Sequence, residues 1–168
     1  MLADTIRTLF DYHYWANRRV RDCIVALTDE QFTRANDYSV GSMRNQVVHT
    51  MGAELLWVSR LRGVSPSGFP NPDDFPTPQS AFDAWAAQEA DVRAFLAGLT
   101  DEQLAQTIEY RTTSGVAYRE TAWVILMQLI NHGTDHRAQI LAGLHRLGVP
   151  TVPQDFIMYS RERAQEAT

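Results

Sequence analysis

Residues 119–147 read RETAWVILMQLINHGTDHRAQILAGLHRL, and this run decides the fold. Ile125, Leu129, His136, Ile140 and Gly143 fall on one side of a 3.6-residue period, with His132 at that side's edge. The pattern predicts a helix from about Arg119 to Leu147, stopped by Gly148 with Pro150 beyond it. His132 and His136 are four residues apart, so both imidazoles lie one turn apart on the side facing a core.

Three more helices follow on moving outward. Residues 2–27 carry Ile6, Leu9, Phe10, Tyr14, Val20, Ile24 and Leu27 at three- and four-residue steps. A second helix is predicted from about Ser42 to Arg62, with Val47, Val48, Met51, Leu55 and Leu61 apolar and Gly63 as its stop. Residues 63–76, GVSPSGFPNPDDFP, hold four prolines and can only be a loop. Thr77 then caps a third helix with Pro78 at its first position, running through Phe82, Trp85 and Val92 to about Ala97. Thr28-Asp29-Glu30-Gln31 and Thr100-Asp101-Glu102-Gln103 are matching capping boxes, each opening a short helix after a long one. Residues 106–118 alternate weakly around Thr113-Ser114-Gly115, which reads as a short β-hairpin or an extended loop. The tail carries Phe156, Ile157 and Tyr159 and is too apolar to float free. The expected architecture is an all-α four-helix bundle with a short hairpin near residues 106–118, forming one domain over residues 1–168.

Composition narrows the function classes. The 168 residues are 45% hydrophobic and 21% charged, enough apolar material for one sizeable core. A net charge of -5 and a pI of about 5.5 argue against a nucleic-acid backbone binder. All 15 basic residues are arginine, which excludes a Schiff-base lysine and a P-loop lysine. Cys23 is the single cysteine and reads as a small core residue, so neither an intrachain disulfide nor a multi-cysteine metal site is available. The first residues, MLADTIRTLF, do not have the pattern of a signal peptide, and no run approaches the ~20 apolar residues of a membrane span. A cytoplasmic location is therefore expected. Gly-x-Ser-x-Gly, His-Glu-x-x-His and Gly-x-Gly-x-x-Gly are all absent.

His132 and His136 need a third partner to make a metal site, and His49 is the best candidate. It sits mid-helix with Gly52 and Ala53 one turn along, and Gly133 lies beside His132. Such small neighbours would leave room for a cation and its water. Two readings stay open on residues alone: a cation held by His49, His132 and His136, or three buried neutral imidazoles each bonded to a neighbour. His145, in the last turn of its helix, reads as a dipole partner, and His13 is left outside the ligand set.

Tyr14-Trp15-Ala16-Asn17-Arg18-Arg19, Ser42-Met43-Arg44-Asn45 leading to His49, and His132…His136-Arg137-Ala138-Gln139-Ile140 together resemble the DinB/YfiT superfamily. The closing Pro153-Gln154-Asp155-Phe156-Ile157 is similar to the tail of such proteins. Ala138 departs from the pattern, since many relatives carry glycine there. The resemblance implies a four-helix bundle that dimerises and binds one divalent metal through His49, His132 and His136, with zinc or nickel suited to imidazole. It also implies reactions of low-molecular-weight thiols. Three functions compete: a metal-dependent thiol S-transferase, a hydrolase using metal-bound water, and a non-catalytic metal or ligand binder. The hydrolase would need a carboxylate base, for which Asp135 and Glu54 are the nearest in sequence.

Overall fold

A computed structural model describes residues 1–166. In chain order the elements are α1 (Leu2–Ile24), α2 (Asp29–Thr33), α3 (Met43–Leu61), α4 (Pro78–Ala97) and α5 (Asp101–Leu104). These are followed by β1 (Thr107–Arg111), β2 (Ala117–Thr121), α6 (Ala122–Arg146) and α7 (Phe156–Glu166), and a single 3-10 turn, Pro72–Asp74, lies between α3 and α4. The four long helices α1, α3, α4 and α6 make the expected bundle, with α1 and α3 each packed on both α4 and α6. The only sheet among the described residues is the antiparallel hairpin.

Local chemistry sets the ends of these helices. Both capping boxes form, with Thr28 paired to Gln31 and Thr100 to Gln103, and Thr77 closes a third with Ser80. Met1 gives α1 no side-chain cap. Asp101 supplies one from across the molecule, accepting Ala3 N–H at 2.7 Å and holding the N-terminal ammonium at 3.0 Å.

The long C-terminal helix starts later than its periodicity suggests. Residues 119–121 pair with 107–109 as the end of β2, and the strand runs straight into α6. Ala122 N–H, the first amide of that helix, donates to Gln106 O at 2.9 Å. The tail folds back as α7, where Tyr159 is buried against Tyr12 and Trp15 at ring separations of 5.9 and 5.8 Å.

The interior is divided. One apolar cluster joins Val20, Ile24, Phe32, Val47, Met51, Trp85, Ile140 and Leu144. A second joins Ile6, Phe10, Tyr14, Val58, Val92, Leu96, Leu126 and Leu129, and a small third joins Tyr12, Ala16 and Tyr159. Burying each such large side chain stabilises the fold by about 1.5–3 kcal/mol. Outside these clusters, on all four long helices, stand polar residues: His13, Asn17, Glu54, Gln88 and Arg137. Of these, His13, Glu54 and Arg137 are buried.

Candidate metal centre

α3 presents His49, and α6 presents His132 and His136 one turn apart. The fold brings these three together. Their ligand nitrogens lie within 4.8 Å of one another. His49 Nε2 is 3.3 Å from His132 Nε2, a hydrogen bond in which one ring carries the proton and the other accepts it. Two nitrogens bound at zinc's usual distance and tetrahedral angle would stand roughly 3.3 Å apart. The spacing of the donor pair therefore fits a tetrahedral cation, with the bridging proton displaced.

Electrostatics favour neutral rings, which is the form a metal needs. Burial pushes the pKa of His49 down, and burial with the neighbouring His49 does the same to His136. His132 is pushed down to about 4 by burial and by the positive potential of His136 and His49 beside it. No carboxylate belongs to the cluster.

His136 is oriented from behind. Its Nδ1 lies 2.6 Å from Gln46 Oε1, an acceptor, so the proton sits on Nδ1 and the Nε2 lone pair is left for a cation. Gln46 Nε2 donates to Gln139 Oε1 at 2.9 Å, and Gln139 Nε2 donates to Asp135 Oδ2 at 3.1 Å. This chain from ligand to carboxylate is the kind of support that fixes tautomer and raises basicity at metal sites. Sequence reasoning missed Gln46 and Gln139, although each lies three residues from a histidine on the same helix. A groove of about 540 Å³ opens beside the chain, with Gln46, Gln139, Asp135, Arg34 and Arg146 in its walls.

Residues 1–167 match the DinB family. The chain belongs to the DinB family. Protein DinB of Bacillus subtilis (strain 168) is 23% identical over 168 residues, covering 94% of this chain and 95% of that one. The crystal structure of a DinB-like protein from Bacillus cereus ATCC 10987 superposes with a TM-score of 0.64 at 19% identity, covering 86% of this chain and 94% of that one. At that identity the likeness speaks to the fold.

Two glycines of this DinB-family chain do something other than expected. A Cβ on Gly133 would overlap the imidazole of His13, so this glycine makes room for His13 rather than for a ligand of His132. A Cβ on Gly52 would stand 2.7 Å from Pro70 Cδ and 2.8 Å from Phe69 Cδ1, so Gly52 receives the 63–76 loop. Phe69 then stacks on His49, with ring centroids 4.9 Å apart and planes 17° from parallel.

His13 lies in the polar layer, with both ring nitrogens committed. Nδ1 is 3.2 Å from Arg137 Nη1; Nε2 is 3.0 Å from Asn17 Nδ2 and 3.4 Å from Glu54 Oε2. Burial lowers its pKa, partly opposed by the Glu54 carboxylate. Arg137 is buried, yet its donors reach Gln154 Oε1 at 2.7 Å, Asn17 Oδ1 at 2.8 Å and Thr134 Oγ1 at 2.9 Å. Glu54 accepts from Gln88 Nε2 at 2.8 Å. These groups support the bundle beside the three histidines and offer no nitrogen to a shared centre.

Proposed function

We propose that His49, His132 and His136 hold one divalent metal ion, zinc or nickel, and that the protein is a metal-dependent S-transferase acting on a low-molecular-weight thiol. The observation that carries this reading is a set of three converging, neutral imidazoles with no carboxylate among them. A metal so held keeps its full positive charge, which favours thiolate over thiol. Asp135 is the carboxylate whose field reaches His132 and His136, and it stands outside the donor set. Gln46 keeps His136 in the binding tautomer, and the groove behind Gln46, walled by amides, Arg34, Arg146 and the carboxylates of Asp37 and Asp135, suits the polar body of a small thiol.

The protein's own thiol is no rival. Cys23 belongs to an apolar cluster and burial pushes its pKa up, so the nucleophile has to be supplied. The hydrolase reading needs a free carboxylate base. Glu54 is buried beside His13 and accepts from Gln88 through one oxygen, outside the trio, and exposed Asp135 accepts from Gln139. A homodimer belongs to the same proposal, since Leu55, Trp123 and Met127 leave apolar surface exposed on α3 and α6. Light scattering at micromolar concentration should give twice the chain mass.

The test is a panel of small thiols and electrophiles offered to metal-loaded protein. Thiol-dependent consumption of an electrophile, absent in His136→Ala, is the expected result. Consumption that proceeds equally without thiol would move the assignment to hydrolysis.

A further inference from the structure

Phe69 is an unusual residue to find at the tip of a proline-rich loop. It is 46% exposed, so the apolar clusters do not account for it. What it touches is His49, face to face, and the bare backbone of Gly52 one turn along the same helix. The loop is fixed in that position rather than resting there. Asp73 Oδ1 pairs with Arg44 Nη2 at 2.8 Å, Asn71 caps the 3-10 turn, Phe75 packs on the apolar interior, and Ser65 Oγ accepts from Arg111 N at 3.1 Å. A loop tied down at several points thus holds one aromatic ring against a histidine of the trio, with about half of that ring's surface facing solvent.

An aromatic face held beside a cation site discriminates among anions by what they carry. We propose that Phe69 is the specificity-determining surface of the metal centre, and that the substrate it selects is an anion or thiol bearing an aromatic or similarly flat apolar group. The proposal rests on the three-histidine metal site but not on the thiol chemistry. One face of Phe69 is covered by His49, so an anion bound beside that imidazole would meet the part of the ring that His49 leaves open. A ring there gains contact area and an offset-stacked or edge-to-face arrangement that a methyl group does not. A preference of about five-fold or more for the aryl ligand is expected from one such contact. Gly52 is the second half of the device, because any side chain there would push Phe69 and Pro70 away from His49.

The experiment uses protein loaded with Co2+, whose visible absorption reports ligand binding without turnover. Benzoate is compared with acetate, and benzyl mercaptan with 2-mercaptoethanol, in wild type, Phe69→Ala, Phe69→Tyr and Gly52→Ala. Metal content and melting temperature are measured on each. Wild type and Phe69→Tyr should prefer the aryl member of each pair. Phe69→Ala should bring the ratio close to one, and Gly52→Ala should reproduce that loss with Phe69 still present. An aryl preference that survives in Phe69→Ala, or the lack of one in wild type, overturns the proposal. Aryl selectivity among carboxylates with no binding of either thiol would leave Phe69 in its role and remove the S-transferase reading instead. Failure to take up cobalt at all would remove both.

Discussion

The histidine trio and the polar layer around His13 share the middle of this bundle, and α6 serves both. In the trio, the imidazoles of His49, His132 and His136 point at one another, and two of the three rings are partly open to solvent. In the polar layer, His13 sits behind Gly133 with both nitrogens taken by Arg137, Asn17 and Glu54. Both environments push the rings toward the neutral form by burial. Their difference lies in where the lone pairs go. A histidine whose nitrogens are consumed by fixed side chains is a structural bond. One whose nitrogens face other imidazoles has binding capacity in reserve.

The largest expected effect separates the two groups outright. His136→Ala should abolish stoichiometric zinc or nickel by elemental analysis, whereas His13→Ala should retain a full equivalent. Metal loss in both variants would merge the two regions into one site.

Next in size is the cost of opening the polar layer. Arg137→Met leaves Asn17, Thr134 and Gln154 without their donor, and should lower unfolding free energy by about 3–5 kcal/mol in urea titrations. The metal-free His49→Ala protein should stay within about 1 kcal/mol of wild type, because that ring is only partly buried. Equal losses would show that both groups hold the fold alike.

Gln46→Leu probes the support behind the trio. It removes the acceptor from His136 Nδ1 and frees the ring to change tautomer, so metal affinity should fall about 10–100-fold in competition with a chelator. An unchanged affinity would mean that the Gln46–Gln139–Asp135 chain is ornamental to the site.

The smallest effect is a pH dependence in the metal-free protein. The trio and His13 have folded pKa values below the unfolded value of about 6.5, His132 near 4. The unfolded chain therefore binds more protons below that value. Stability should be complete above pH about 6.5 and decline as pH falls from there toward about 4. Denaturant titrations at pH about 7.5 and 5 should show the loss, reduced in His132→Ala. A profile flat over that range would remove the claim that these rings are held neutral. Metal bound only to neutral rings should steepen the decline, so the rise in melting temperature on metal addition should shrink over the same interval.

Much of this was legible in residue order because helices repeat. The 3.6-residue period gave the four long helices, the Thr-x-x-Gln boxes marked the short ones, and a four-residue spacing put His132 beside His136. What escaped was whatever depends on a partner distant in sequence. Periodicity could not show that residues 119–121 belong to a strand, since their ladder partners are 107–109. Gly133 was read as space for a ligand of its neighbour, but the occupant is His13 from another helix. Gln46 carries no signature of its own and Gln139 only its place in the segment after His136, because an amide becomes a support only when a partner arrives opposite it. Phe69, inside a loop that reads as mere connection, was invisible for the same reason.

Gln154 has a consequence for how the molecule is made. It lies in the tail, beyond all four long helices, yet it accepts from the buried Arg137 that follows His136 directly in α6. During synthesis all three imidazoles leave the ribosome before the residue that accepts from this guanidinium's Nε. The three imidazoles are thus in place while the Nε donor of the buried Arg137 beside them still lacks its acceptor. A chain stalled just short of Gln154 would carry the three imidazoles on an unfinished frame.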